Sequence, residues 1–151
     1  IRSGKFYHSF ETNSYGSILV AISPNGQTLV TASDKTIEIW DMESWELRHT
    51  LTGHSNHTFI GHSNSVSAVV ISHNGQTLAS GSHDKTIKIW DMESWELRHT
   101  LTGHSNSVNA VAISPNGQTL VSGSHDKTIK IWDMESGELR YTLTGHSNSV
   151  N

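Results

Sequence analysis

The sequence repeats itself every 42 residues, and this period restricts the possible folds more than any other feature of the chain. Residues 61–102 and 103–144 are two copies of the repeat that differ at six positions. At these positions the first copy has Ser67, Val70, His73, Ala79, Trp95 and His99, and the second has Asn109, Ala112, Pro115, Val121, Gly137 and Tyr141. An earlier copy, about 14–52, is one residue shorter at Ser33-Asp34. Such a period indicates one supersecondary unit per copy, stacked on its neighbours.

Each copy contains four short runs that are typical of β-strands. In the second copy these runs are residues 66–72, 77–82, 86–90 and 96–100. The third run, TIKIW, alternates and is rich in β-branched and aromatic residues, and Gly and Asn interrupt the chain too often for helices. Asn74-Gly75 predicts a type I′ hairpin between the first two strands, and the pair recurs at 25–26 and 116–117. The sequence therefore predicts an all-β fold of repeated four-stranded units.

Two residue pairs recur in phase with the repeat. Gly-His pairs occur at 61–62, 103–104 and 145–146, and Trp-Asp pairs at 40–41, 90–91 and 132–133. The runs SPNGQTL and SGSHDKTIKIWD lie between them. With these motifs the chain resembles the WD-repeat β-propeller family over essentially its whole length. The resemblance implies four-stranded antiparallel blades, about three in this chain, in a partial ring or a ring closed by oligomerisation.

The repeat boundaries divide this propeller segment, residues 1–151, into parts. Residues 1–12 match the outer strand of a blade, 13–52 blade 1, 53–60 an inserted loop, 61–102 blade 2, 103–144 blade 3 and 145–151 the start of a further blade. Closed propellers have about four to eight blades, so three blades do not close a ring in the usual way. Three explanations stay open: a remainder of a longer propeller, a homo-oligomer in which two copies form six blades, or part of a longer tandem array.

The resemblance also implies a buried polar tetrad inside each blade. The expected members are His62, Ser80, Asp84 and Trp90 in blade 2, His104, Ser122, Asp126 and Trp132 in blade 3, and Thr31, Asp34 and Trp40 in blade 1. In blade 1, Asn13 stands in the place of the histidine. A buried polar group without a partner costs about 1–3 kcal/mol, so we expect these residues to have a structural role.

In the family, the narrower top face around the central channel binds protein partners. The positions that match are Ser33, Ser65, Ser67, His83, Ser107, Asn109 and His125, together with Gly16 and Ile18 of blade 1. They are small and polar, so a merely solvated face is an almost equal alternative. We expect His83 and His125 to make binding sensitive to pH near 6.5.

Composition excludes several classes of function. Fourteen acidic and ten basic residues give a formal net charge of −4, which disfavours nucleic acid as a partner because phosphate contacts need clustered Lys and Arg. There is no cysteine, hence no disulfide, no thiolate nucleophile and no Cys-ligated metal. No apolar run approaches 18 residues, so we expect no membrane partner, no secretory signal and a cytoplasmic location. The sequence contains no phosphate-binding Gly loop, and we expect no cofactor.

Eleven histidines raise the question of a metal or acid–base site. His54, His57 and His62 have a loose zinc-ligand spacing, but no Cys or carboxylate accompanies them, so a solvated loop is favoured. Ser82-His83-Asp84 has the residue types of a hydrolase triad. Consecutive residues cannot converge as nucleophile, base and orienting group, however. We therefore expect no catalytic residue, no metal and no enzyme.

Trp45 and Trp95 precede the outer strand of their blades, where the third copy has Gly137. An exposed Trp can anchor a partner, but packing at the rim or between blades is favoured. The function predicted from the sequence is a non-enzymatic scaffold that presents a rigid propeller surface to a protein or peptide. The alternatives are a sensor or regulatory arm of a larger signalling protein and, more weakly, a glycan-binding propeller.

Overall fold

The computed structural model describes residues 18–51, 61–145 and Val150. These residues form twelve strands. The strands are β1 (Leu19–Ile22), β2 (Thr28–Ser33), β3 (Thr36–Asp41), β4 (Leu47–Leu51), β5 (Val66–Ile71), β6 (Thr77–Ser82), β7 (Ile87–Asp91), β8 (Leu97–Leu101), β9 (Val108–Ile113), β10 (Thr119–Ser124), β11 (Ile129–Asp133) and β12 (Leu139–Leu143). Within the described ranges, no helix is long and apolar enough to cross a membrane.

The strands form three antiparallel sheets of four, each in chain order. Blade 1 contains β1–β4, blade 2 contains β5–β8 and blade 3 contains β9–β12. The predicted all-β architecture of four-stranded blades is confirmed, and the described strands do not form a closed ring. The expected outer strand 1–12, the inserted loop 53–60 and Asn13 lie outside the described residues.

The turn between the first two strands of each blade differs from the prediction. Only its glycine has a positive φ, 73° at Gly75, and the Gly75 N–H donates to the Ser72 carbonyl at 2.9 Å. The Asn74 side chain accepts hydrogen bonds from the Ser72 hydroxyl at 2.6 Å and from the Gln76 N–H at 3.0 Å. The loop is therefore a type I turn followed by a left-handed glycine, and the type I′ prediction is wrong. Because its side chain satisfies these donors, Asn74 needs no positive φ itself.

Adjacent blades pack face to face around two apolar cores. We call the side of a blade that meets the following blade its forward face, and the opposite side its rear face. The first core joins Val30, Ile37, Ile39 and Leu51 on the forward face of blade 1 to Val66, Leu78 and Trp90 on the rear face of blade 2. The second joins the equivalent residues Ala79, Ile87, Ile89 and Leu101 of blade 2 to Val108, Leu120 and Trp132 of blade 3.

The start of the next repeat follows the same pattern. The Val150 N–H donates to the Ser124 carbonyl at 2.9 Å, and a Cβ on Gly123 would lie 2.7 Å from Val150 Cγ1. Gly81 has the same relation to Val108, at 2.8 Å. Val150 therefore occupies on blade 3 the position that Val108 occupies on blade 2.

Candidate functional site

The expected tetrad of blade 2 forms a continuous chain of hydrogen bonds. His62 Nδ1 lies 2.9 Å from Asp84 Oδ2, and His62 Nε2 lies 2.7 Å from Ser80 Oγ. The indole N–H of Trp90 donates to Ser80 Oγ at 3.1 Å. His62, Ser80 and Trp90 are fully buried. The four side chains thus link the connection before β5, strand β6, the loop after β6 and strand β7.

The donors in this chain run in one direction. Trp90 has only an N–H to give, so the Ser80 oxygen accepts it and the Ser80 hydroxyl hydrogen is left to donate to His62 Nε2. Because a carboxylate only accepts, His62 Nδ1 carries a hydrogen and donates it to Asp84. Within the described residues, every buried side-chain polar atom has a hydrogen-bond partner.

Blade 3 repeats this arrangement. His104 Nδ1 lies 2.7 Å from Asp126 Oδ2, His104 Nε2 lies 2.7 Å from Ser122 Oγ, and Trp132 donates to Ser122 at 2.8 Å. Burial lowers the pKa of His104 below its usual value, and this outweighs the opposing effect of the Asp126 carboxylate. His104 is therefore held in the neutral form that the hydrogen-bond directions require.

The tetrad carboxylates are held in the charged form. Burial works to raise the pKa of Asp84, but hydrogen bonds from His62 and Thr86 outweigh it and hold that pKa below the usual range. The same balance lowers the pKa of Asp126 through Thr128 and His104. Blades 2 and 3 thus each hold an ionised aspartate against a buried histidine.

Blade 1 departs from this pattern, and the expectation that Asp34 is a buried tetrad member is wrong. Trp40 still donates to Thr31 Oγ1, at 3.1 Å. Asp34 is exposed, has a φ of 49°, and accepts a hydrogen bond from the Ser65 hydroxyl of blade 2 at 3.2 Å. The missing residue explains the change. The loop after β2 contains two residues instead of three, so Asp34 takes the position that His83 has in blade 2.

Ser80, His62 and Asp84 have the contact order of a serine-hydrolase triad, because the hydroxyl meets Nε2 and the carboxylate meets Nδ1. The Ser80 oxygen, however, is fully buried and already accepts the Trp90 N–H. It is therefore inaccessible to a substrate, and the arrangement serves stability. Among the described residues, no three His, Asp or Glu side chains converge on a metal-sized site, and His54 and His57 lie outside these residues.

Four of the expected top-face residues join neighbouring blades. The Ser67 hydroxyl donates to the Val108 carbonyl of blade 3, and Asn109 Nδ2 donates to the Val150 carbonyl at 3.0 Å. Ser107 Oγ lies 3.1 Å from His83 Nδ1, while Ser65 donates to Asp34. The polar atoms of Ser65, Ser67, Ser107 and Asn109 are therefore committed to contacts between blades. Ser33 pairs with Thr36 across the turn that ends β2.

His83 and His125 are exposed on the loops between the second and third strands of blades 2 and 3. We call the surface formed by these loops and the equivalent loop of blade 1 the top face. Its exposed cations are Lys35, Lys85 and Lys127, one on each blade. Sequence reasoning did not select these lysines. The recurring Asp-Lys-Thr run was the signal that marks them.

The opposite edge of the blades, here the bottom face, has the opposite charge. Its loops carry the exposed residues Glu43, Glu46, Glu93, Glu96, Glu135 and Glu138. Three aspartates there are each paired with an arginine, as Asp91 is with Arg98. Backbone N–H groups of Ser94 and Glu93 lower the pKa of Asp91, and Arg98 adds to this effect. The bottom face thus has an excess of exposed carboxylates, whereas the exposed side chains of the top-face loops are three lysines, two histidines and Asp34.

Trp95 packs between blades, as its favoured interpretation predicts. It lies against the first apolar core, and its ring centroid is 5.1 Å from that of His49 on blade 1. Gly137 replaces it in blade 3, where a Cβ would lie 2.8 Å from His99 Nδ1. His99 Nε2 there donates to the Glu135 carbonyl at 2.9 Å. The glycine therefore makes room for a histidine of the preceding blade, whereas the Trp95 ring lies against one at a tilt of 38°.

The solved structures that the chain resembles are WD40 propellers. One, "Structure of U3-55K", superposes with a TM-score of 0.79 at 32% identity and covers 86% of this chain and 39% of that chain. Another, "Crystal structure of RRP9 WD40 repeats", has a TM-score of 0.79 at 29% identity and covers 90% of this chain and 44% of that chain. The chain thus spans about two fifths of each structure. A comparison with curated proteins gives no match.

The model of the family described as "WD domain, G-beta repeat" matches residues 4–41, 53–91 and 95–133. Each match ends at the aspartate of a Trp-Asp pair. Together the matches cover well over half of the chain, and each contains the first three strands of one blade. The chain belongs to the WD40 repeat family of β-propeller proteins.

Proposed function

We propose that this chain is a non-enzymatic scaffold that binds an acidic segment of a protein partner across its top face. The observation that carries the proposal is the row of exposed lysines on equivalent loops of three adjacent blades: Lys35, Lys85 and Lys127. His83 and His125 are exposed on the same loops. WD40 domains typically bind protein partners, and this row supports a partner of negative charge.

The distribution of acidic groups supports the same face. The exposed glutamates of the three blades lie on the bottom face, where they repel an acidic segment. On the top face, Asp84 and Asp126 are largely withdrawn from solvent by their hydrogen bonds to His62 and His104. An acidic segment on the top face therefore meets three exposed lysines and two exposed histidines against one exposed carboxylate, that of Asp34.

An array of peptides of equal length, with acidic, neutral and basic sequences, tests this function. We expect the chain to retain acidic peptides and to release them as the salt concentration is raised. Salt weakens the attraction between exposed charges, which at 0.1 M falls off over a Debye length of about 10 Å. The triple variant Lys35→Glu, Lys85→Glu, Lys127→Glu should lose this binding. The matched control Glu43→Lys, Glu93→Lys, Glu135→Lys should keep it. Selective retention of basic peptides, or loss of acidic-peptide binding only in the control, would contradict the proposal.

A further inference from the structure

Each blade has an Asn-Gly pair in the turn between its first two strands, at the bottom face. The pairs are Asn25-Gly26, Asn74-Gly75 and Asn116-Gly117. Asparagine is one of the thermally labile residues. A following glycine increases this lability, because no side chain hinders the approach of the glycine nitrogen to the asparagine side chain. The three asparagines are exposed, so water reaches them.

The reaction of such a pair is an attack within the chain. The Gly75 nitrogen forms a bond to Cγ of Asn74, the bond from Cγ to Nδ2 breaks, and ammonia leaves with the proton of the Gly75 N–H. Water then opens the cyclic imide at one of its two carbonyls, which yields aspartate or isoaspartate. The attack therefore needs a glycine N–H that is free to lose its proton and a carboxamide that is free to turn toward it.

The turn of blade 2 engages both reacting groups in hydrogen bonds. The Gly75 N–H donates to the Ser72 carbonyl at 2.9 Å. Asn74 Oδ1 accepts from the Ser72 hydroxyl at 2.6 Å and from the Gln76 N–H at 3.0 Å. Ser72 is itself fixed, because it is 2% exposed and its Oγ accepts the Thr77 N–H at 3.0 Å. The pair is therefore free to react only when this turn opens.

The turns of blades 1 and 3 contain the same bonds but differ in one residue. Their serine hydroxyls donate to the asparagine side chains at 2.7 and 2.6 Å. The residue before the asparagine is Pro24 in blade 1 and Pro115 in blade 3, whereas it is His73 in blade 2. This is the second position of a type I turn, where proline fixes the φ that the turn requires. The turn of blade 2 lacks this restraint, so we expect it to open more readily.

We propose that Asn74-Gly75 is a modification site of this chain, at which the asparagine deamidates without an enzyme at a rate set by opening of the turn between β5 and β6. Ser72 slows the reaction by holding both reacting groups, and His73 weakens the turn relative to proline. The product adds a carboxylate to a face that already has exposed glutamates. Isoaspartate also adds one methylene group to the backbone of the turn, which displaces the acceptor from Ser72 and Gln76.

The test is incubation of the folded chain at neutral pH, with deamidation at each Asn-Gly pair followed by mass spectrometry of its peptides and their fragments. Asn74 should react more slowly in the folded chain than in the chain unfolded by guanidinium chloride. Ser72→Ala should speed the reaction at Asn74 about two- to tenfold, the equivalent of one hydrogen bond of about 0.5–1.5 kcal/mol, and should leave Asn116 unchanged. Ser114→Ala is the matched control and should speed the reaction at Asn116 alone.

His73→Pro tests the restraint on the turn without removing a hydrogen bond from it. Proline fits this position, because both equivalent residues are prolines. We expect the reaction at Asn74 to become about two- to fivefold slower, the equivalent of about 0.4–1 kcal/mol, and Pro115→His should speed the reaction at Asn116 by a similar factor.

Three results would overturn the proposal. The first is an equal rate at Asn74 in the folded and the unfolded chain. The second is a rate at Asn74 that either Ser72→Ala or His73→Pro leaves unchanged. The third is an equal rise at all three pairs in Ser72→Ala, because the rate would then depend on unfolding of the whole chain and not on this turn.

Discussion

Gly81 lies so close to Val108 of the next blade that a Cβ at position 81 would sit 2.8 Å from the valine Cγ1. Real Cβ atoms do not approach a neighbour so closely, so the contact needs a residue without a side chain. In blade 1 the equivalent residue is Ala32, which is buried in the first core. The two interfaces between blades thus have the same arrangement, and the two blades approach each other more closely at the second.

Replacing Gly81 with alanine should therefore destabilise the chain. We expect Gly81→Ala to lower the free energy of unfolding by about 1–3 kcal/mol, because an added methyl group overpacks the contact with Val108. Urea unfolding measures this. In the Val108→Ala background the same change should cost less, because the clashing methyl group is gone. A cost that is equal in both backgrounds would show that the two residues are not in contact.

The tetrad predicts that two aspartates that align in the sequence differ in how much their replacement destabilises the chain. Asp84→Ala should lower the free energy of unfolding by about 1–3 kcal/mol, because it leaves the His62 Nδ1–H buried without its acceptor. Asp34→Ala should lower it by less, because Asp34 is exposed and its loss leaves no buried donor unpaired, so that the φ of 49° is what opposes alanine there. Thermal or urea unfolding compares the two. An equal loss of unfolding free energy in the two variants would contradict the complete tetrad of blade 2 and the incomplete tetrad of blade 1.

The buried histidine and aspartates predict that acid destabilises the fold in two steps. The pKa of His104 is lowered in the folded chain, so below pH 6.5 the unfolded chain binds a proton that the folded chain does not, and the free energy of unfolding falls. The lowered pKa values of Asp84 and Asp126 add stability that is complete above pH 3.8 and is lost as the pH falls further.

Urea unfolding at pH 7, 5.5 and 3 measures both steps. His104→Gln should reduce the loss of stability between pH 7 and 5.5, whereas His125→Gln, at an exposed position, should leave it nearly unchanged. An increase in stability on acidification from pH 7 to 5.5 would contradict the neutral state of the tetrad histidine.

The turn before the outer strand of blade 3 predicts a further cost. Gly137 has a φ of 72°, and a Cβ there would meet the His99 ring. Gly137→Ala should lower the free energy of unfolding by about 1–3 kcal/mol, because it places a side chain in a left-handed conformation and displaces His99 from the Glu135 carbonyl. In a His99→Ala background, only the conformational cost should remain. An equal cost in both backgrounds, measured by urea unfolding, would contradict the contact with His99.

Much of the fold was predictable from the sequence because the repeat fixes the strands. The run after the Asn74-Gly75 turn was predicted as a strand over 77–82, and β6 spans Thr77–Ser82. The hairpin turn was misassigned because Asn-Gly is compatible with two turn types, and the side-chain hydrogen bonds of Asn74 decide between them. Pairwise dipeptide statistics do not include these bonds.

The site was less predictable, for a physical reason. Asp34 aligns with Asp84, yet one deleted residue tightens the loop and directs the carboxylate to Ser65. Ser67 and Asn109 are polar and align with partner-binding positions, yet their hydrogen bonds go to the next blade. Both outcomes depend on contacts between blades, which the pattern inside one repeat does not contain.

The central claim is that contact between blades, and not the sequence of a blade, determines its stability. Blades 2 and 3 differ at few positions, but among the described residues blade 2 is covered on both faces and blade 3 on one. Amide hydrogen exchange of the chain, measured by mass spectrometry, tests the claim directly. Peptides that contain Ala79 or Val121 have different masses and identify the two blades. We predict slower exchange in β6 and β7 than in β10 and β11, and equal exchange in the two blades would contradict the claim.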